Sequence, residues 1–232
     1  STIELTDTQM EEDNRKLAID KVGVKNLRFP IRILDKSHSF QDTIATISMY
    51  VDLPHHLKGT HMSRFIEVLN SHGNAVHVEN IPEILAAIQK RLKSQTAYVE
   101  MDFPFFLEKT APVTGKTGLV DYSARFEASA KDSEIMEFRI GINMGDVVIE
   151  GDNLYGEGIN VASRLESLAQ SGGICLSKNV HEIVYNKTNF DFHDLGEQKV
   201  KNTKFHAVDV KLDGTFQRKF QESTTGHQSS TD

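Results

Sequence analysis

The tightest constraint in this chain is alternation. Ala97, Val99, Met101 and Phe103 occupy every second position of one segment, and Val120, Tyr122, Ala124, Phe126 and Ala128 do the same in the next. A period of two marks a strand with one buried face. Ala45, Ile47, Met49 and Val51 repeat the pattern around Thr46, Ser48 and Tyr50, and Asp52-Leu53-Pro54 ends that run, because proline cannot donate to a ladder. Further on, Met136, Phe138, Ile140 and Ile142 alternate with Glu137, Arg139, Gly141 and Asn143. A sheet is therefore the frame of the fold.

Helical spacing appears between these runs. Met62, Phe65, Ile66 and Leu69 fall at i, i+3, i+4 and i+7, which predicts a helix from near Thr60 or His61. Asn80-Ile81-Pro82-Glu83 reads as an N-cap with an acid three residues on and proline in the first turn; Ile84, Leu85, Ile88 and Leu92 form the apolar face that follows. Strand, helix, helix, strand, strand is an α+β order with helices on one side of a sheet. Beyond it, Gly145-Asp146 reads as a turn that returns Val147–Ile149 as the second arm of a hairpin. A helix is predicted from Ile159 to Gln170, with Val161, Leu165 and Leu168 inward and Gly172-Gly173 closing it. Ile174-Cys175-Leu176 reads as a buried strand, Ser177 as the cap of a helix through Val184, and Phe190, Phe192, Val208, Val210 and Leu212 as closing strands. Residues 1–21 are expected to be a flexible arm and 214–232 a disordered tail.

Composition removes several classes of function. A formal net charge of -7 argues against nonspecific nucleic-acid binding, which needs a basic surface. No apolar run approaches the roughly 20 residues that span a bilayer, and Ser1–Asp20 lacks the apolar core of a signal peptide, so no membrane partner is expected. The single cysteine, Cys175, permits no internal disulfide and no Cys-rich zinc site. The expected setting is cytoplasmic.

Two groups of residues carry chemistry. His55, His56 and His61 lie within seven residues, and imidazole suits zinc and its neighbours, although solvated turn histidines fit the same spacing. Asn160 and Arg164 stand one helical turn apart: a guanidinium suits phosphate and a neighbouring amide can fix a ribose or phosphate oxygen, while a solvated polar stripe has the same spacing. Thr114-Gly115-Lys116-Thr117 is not a P-loop, because Thr110 stands where the pattern needs glycine.

Larger patterns surround both groups. Val22–Arg32, the run Met49–Leu69 containing Gly59-Thr60-His61-Met62-Ser63-Arg64, and Phe103-Pro104 with Ala111-Pro112-Val113 resemble the type IB GTP cyclohydrolases over Val22 to about Ala128. That resemblance implies a tunnelling fold, in which subunits assemble into barrels that bind a purine at their interfaces. It also implies a metal-activated water that opens the guanine ring of GTP to give dihydroneopterin triphosphate for folate-type pathways. His61 and Arg64 carry over, with His55 and His56 flanking. The family's Cys-Pro-Cys-Ser-Lys and Gly-Ala-His-Asn segments, which hold metal ligands, do not occur in this sequence.

Phe138–Val148, Glu150–Glu166, Gly172-Gly173-Ile174 and Asp194-Leu195-Gly196-Glu197 with Lys201-Asn202 resemble class III adenylate/guanylate cyclases from about Met136 to Leu212. By that resemblance Asn160 positions the nucleotide and Arg164 stabilises phosphate charge in the transition state. The base-reading position falls at Asn153, beside Asp152, which leaves ATP and GTP both open. The family's metal-binding aspartates precede the matched part.

The combined expectation is α+β throughout: a tunnelling-fold-like half with two helices over 22–132, then a partial ferredoxin-like cyclase half over 133–213. Ser129-Ala130-Lys131-Asp132-Ser133-Glu134 is the seam, of hairpin length, and pairing of the flanking strands across it would give one shared sheet. The chain is expected to be a homo-oligomeric handler of GTP or ATP with parts of two catalytic sets. If it is active, it needs divalent zinc, manganese or magnesium. The alternatives are an active enzyme with replacement ligands and a nonenzymatic nucleotide-binding module.

Overall fold

The computed structural model describes residues 19–35, 39–53, 60–72, 80–110, 115–132, 135–145, 148–150, 153–155, 157–200 and 203–212. Strands β1 (Ile19–Asp35) and β2 (Ser39–Leu53) lead into helices α1 (Ser63–His72) and α2 (Ile81–Leu92), then strands β3 (Thr96–Thr110) and β4 (Thr117–Lys131). There follow β5 (Ile135–Met144), β6 (Val148–Glu150), β7 (Asn153–Tyr155), α3 (Glu157–Leu168), β8 (Gly173–Ser177), α4 (Lys178–Val184), β9 (Asp191–Val200) and β10 (Thr203–Lys211). The fold is mixed α+β, with eight strands in one sheet ordered β1-β2-β3-β4-β5-β8-β10-β9.

The seam is a hairpin. β4 and β5 pair antiparallel from Tyr122 opposite Met144 to Lys131 opposite Ile135. Asp132 turns the chain at φ +50, and its N–H donates to the Gln95 carbonyl at 2.9 Å. Beneath it, Gln89 of α2 is 5% exposed and donates to the carbonyls of Gln95 at 2.6 Å and Ala130 at 3.1 Å. The sheet then continues through the parallel β5–β8 pair into the antiparallel β8, β10 and β9.

The two faces of the sheet carry different helices. Ala45, Ile47, Met49 and Val51 of β2 join Ala97, Val99 and Met101 of β3 and Ala124, Phe126 and Ala128 of β4 under Phe65, Leu69, Ile84, Leu85 and Ile88 of α1 and α2. Val180 of α4 packs on Tyr122 and Leu176 of the same face. On the opposite face α3 and the residue that follows it set Val161, Leu165 and Ala169 against Cys175, Phe205 and Ala207. Gly141 makes that approach possible: a methyl group there would collide with the Ala162 carbonyl oxygen and the Glu166 amide nitrogen.

Several boundaries differ from the sequence reading. β1 begins at Ile19, inside the segment expected as an arm, and precedes the strand that alternation identified. α1 starts at Ser63 rather than at Thr60 or His61. Asn80 and Ser177 stand at the N-cap positions of α2 and α4, yet neither side chain bonds the helix end. The hairpin expected after β5 forms one element later: β6 pairs with β7, Val148 opposite Tyr155, and not with β5. Residues 1–18 of the expected arm and 213–232, which hold the expected tail, lie outside the described residues.

Candidate functional site

Charged residues take the polar phase of the central strands, on the face that α3 covers. Register places Asp102 opposite Arg125, Glu100 opposite Glu127, Arg125 opposite Gly141 and Glu127 opposite Arg139. Arg125 donates from Nη1 to Asp102 Oδ2 at 2.7 Å and from Nη2 to Glu100 Oε2 at 3.0 Å. Its Nε lies 3.5 Å from Glu166 Oε2, which α3 delivers from above. The fork of a guanidinium can serve several carboxylates at once, which an ammonium of the same charge does less well.

Glu166 is 3% exposed. Burial first, and then its hydrogen bond with and repulsion from Glu127, push its carboxyl up to about 7, against the pull of Arg125 and Arg139. Burial also raises Asp102, although Arg125 opposes it. For Arg125 burial acts downward, but Asp102, Glu100 and Glu166 outweigh it and hold the guanidinium charged. A shallow cleft of about 200 Å³ opens beside this cluster, lined by Tyr98, Glu127, Ser129, Glu137, Phe138 and Arg139. Lys21 Nζ sits 4.1 Å from the centre of the Tyr98 ring, a cation–π contact.

The residues singled out from sequence fall in two places. Arg64 lies on α1, where its Nη1 donates to the Arg91 carbonyl at the end of α2 at 3.2 Å. His61 precedes the helix, and its carbonyl accepts the Arg64 N–H at 3.1 Å. Asn160 is exposed and Arg164 half-buried, one turn apart on α3. Asn153 opens β7, paired with Glu150. His55, His56 and Asp152 lie outside the described residues. Because α1 and α3 cover opposite faces of the sheet, the structure does not bring His61 and Arg64 together with Asn160 and Arg164 around one ligand within a single chain.

Among the described residues, no group of three or more His, Cys, Asp or Glu side chains is arranged to hold a metal ion. His61 alone of the three candidate histidines is described, so the described residues do not by themselves fit a metal centre. No helix among the described residues is long and apolar enough to cross a membrane.

The Arg125 cluster is what the sequence reading missed. Its signal was present in the same alternation that revealed the strands: Glu100, Asp102, Arg125 and Glu127 fill the polar positions between the apolar stripes with charges of both signs. Glu166 follows the buried Leu165, and nothing in helical spacing alone marks it as paired with β4.

Residues 5–147 match the family model described as type I GTP cyclohydrolase folE2. The match extends past Val22–Ala128 at both ends and crosses the seam into β5. A protein of Citrifermentans bemidjiense named GTP cyclohydrolase FolE2 is 46% identical over 140 residues, covering 60% of this chain and 52% of that protein. The protein of the same name from Akkermansia muciniphila is 49% identical over 140 residues, covering 60% and 53%. The chain thus spans about half the length of the relatives it matches. Among solved structures, an adenylate/guanylate cyclase/hydrolase from Silicibacter pomeroyi aligns over 35% of this chain and 49% of its own, at 41% identity and TM-score 0.33.

Proposed function

The chain belongs to the type I GTP cyclohydrolase folE2 family through residues 5–147, and from that membership we propose that it is a GTP-handling protein. In this reading the unit β1–β4 with α1 and α2, residues 22–132, is a tunnelling-fold half that takes the purine nucleotide between copies of the chain. The observation that carries it is the family match itself, which spans an unbroken ladder from β1 through β5. Arg64, in the first turn of α1, is the residue of that half assigned to the nucleotide, and His61, just before the helix, is assigned a catalytic role.

Residues 133–213 form the second part of the proposal, a cyclase-like half. It rests on the sequence resemblance, and α3 supports it by holding Asn160 and Arg164 one turn apart on its accessible flank. Arg164 would meet phosphate charge, Asn160 the ribose or a phosphate oxygen, and Asn153 with Asp152 the base. A divalent metal would supply the activated water of the cyclohydrolase reaction or neutralise a triphosphate. The 232 residues contain neither ligand segment of the cyclohydrolase family, and we assign the chain nucleotide binding without a complete metal-ligand set.

Product analysis after incubation with GTP and with ATP, each with magnesium, manganese or zinc, tests this. Saturable GTP binding without pterin or cyclic nucleotide supports the reading. Dihydroneopterin triphosphate would mean that replacement ligands complete the cyclohydrolase site. A cyclic nucleotide lost in Arg164→Ala would assign the activity to α3. A chain that neither binds nor converts GTP would overturn the proposal.

A further inference from the structure

Two contacts seat α3 on the central strands, one helical turn apart. Ala162 lies over Gly141, its carbonyl oxygen closer than a side chain there would permit. Glu166 meets Arg125, whose Nε is 3.5 Å from Oε2, an ion pair too long to be a firm hydrogen bond. Gly141 and Arg125 are partners in the β4–β5 ladder, so both contacts rest on one row of the sheet. Val161 and Leu165 add apolar burial. Apolar burial has no direction, and by itself it lets a helix roll about its axis. A directed ion pair and a backbone in close contact fix the roll.

Arg125 suits this task because it is held from below. Its Nη1 donates to Asp102 at 2.7 Å and its Nη2 to Glu100 at 3.0 Å, both on β3. A guanidinium is planar, so fixing two of its nitrogens aims the third, and here Nε is the nitrogen nearest Glu166. The Arg125 side chain is 18% exposed and that of Glu166 3%, so salt screens the pair little. With about 3.6 residues per turn, helix positions two apart point to nearly opposite sides. Asn160 and Arg164 thus share the side of α3 away from Ala162 and Glu166, and a roll at the seat swings both of them.

We propose that Arg125 and Glu166 are positioning residues that set the roll of α3 and, through it, the placement of Asn160 and Arg164 toward a nucleotide's phosphate and ribose. The strands of the first half thereby orient the side chains of the second. This role rests on the nucleotide assignment of Asn160 and Arg164.

Equilibrium titration of the full chain with GTP and with ATP, each with magnesium, tests it in single and double variants. Arg164→Ala should weaken binding about tenfold, the loss of one charge-assisted contact. Glu166→Leu replaces a buried charge by an apolar group and leaves Arg125 its two β3 partners, so the chain folds while the aim of α3 is lost. It should weaken binding by a similar factor. Arg125→Lys keeps the charge but not the fork, and should do the same. Glu166→Leu with Arg164→Ala should bind no more weakly than Arg164→Ala alone, because one residue acts through the other. Losses that multiply in the double variant, or parent-like affinity in both Glu166→Leu and Arg125→Lys while Arg164→Ala loses it, would overturn the positioning role alone. No nucleotide binding by the parent, or binding that Arg164→Ala leaves intact, would overturn the nucleotide assignment and the positioning role with it.

Discussion

Gly141 of β5 lies directly beneath the Ala162 carbonyl of α3, closer than any side chain would allow. Opposite it in the ladder stands Arg125, which reaches up to Glu166 on the same helix. The absence of a side chain at one position and a long guanidinium at its neighbour together set the height of α3 above the sheet.

Gly141→Ala should therefore lift or displace α3. Overpacking of this kind costs about 1–3 kcal/mol, read as a lower urea midpoint with an unchanged slope. Exchange should rise most in α3, while α1 and α2, on the other face, keep their protection. A Gly141→Ala variant as stable as the parent would show that the helix sits further from the sheet.

Gln89 ties the seam to α2 through two carbonyls on different segments. Gln89→Leu fills the space but leaves the buried Ala130 carbonyl and the Gln95 carbonyl without that donor, at a cost of about 1–3 kcal/mol. Equilibrium denaturation measures it. Full stability in the leucine variant would mean that the β4–β5 turn does not rely on this anchor.

At the turn itself Asp132 adopts φ +50, a conformation that glycine takes without strain and a β-branched residue resists. Asp132→Gly should be neutral or slightly stabilising, and Asp132→Val should lose about 1–2 kcal/mol. The reverse ranking of the two thermal midpoints would contradict a left-handed residue at the seam.

Much of this architecture is written in period-two stripes, because half-buried strands must alternate. β3, β4 and β5 are legible that way, and so was the possibility that β4 and β5 pair across a short loop. β1 is harder to read: Asn26 takes φ +56 and the register with β2 shifts between Val24 and Leu27, so the alternation breaks inside the strand. β6 reads as a strand, but three residues do not specify a partner, and β7 rather than β5 pairs with it. The Arg125–Glu166 contact joins residues far apart in sequence through a helix on the other face from α1 and α2. No local pattern encodes that distance. The separation of His61 and Arg64 from Asn160 and Arg164 is equally a property of the layers, invisible until the sheet has two sides.

On β9 and β10, Asp194 accepts a hydrogen bond from the Gly196 N–H at 2.7 Å and contacts His206, and in that order these hold its carboxyl below the ordinary value. A depressed carboxyl stabilises the fold at pH above its unfolded value, and that contribution is lost as pH falls through the folded one. His206→Ala should raise the Asp194 pKa only part of the way, since the Gly196 contact remains. A carboxylate-resolved NMR titration checks this, and a complete return to the ordinary value would reverse the ranking of the two contacts.

The proposed function depends on this chain engaging GTP. Equilibrium titration of the purified full chain with GTP, and with ATP as competitor, addresses it most directly. Saturable GTP binding is the result that the proposed reading predicts, with the ATP competition reading the preference between the two nucleotides. No saturable GTP binding, with or without magnesium, manganese or zinc, would contradict it.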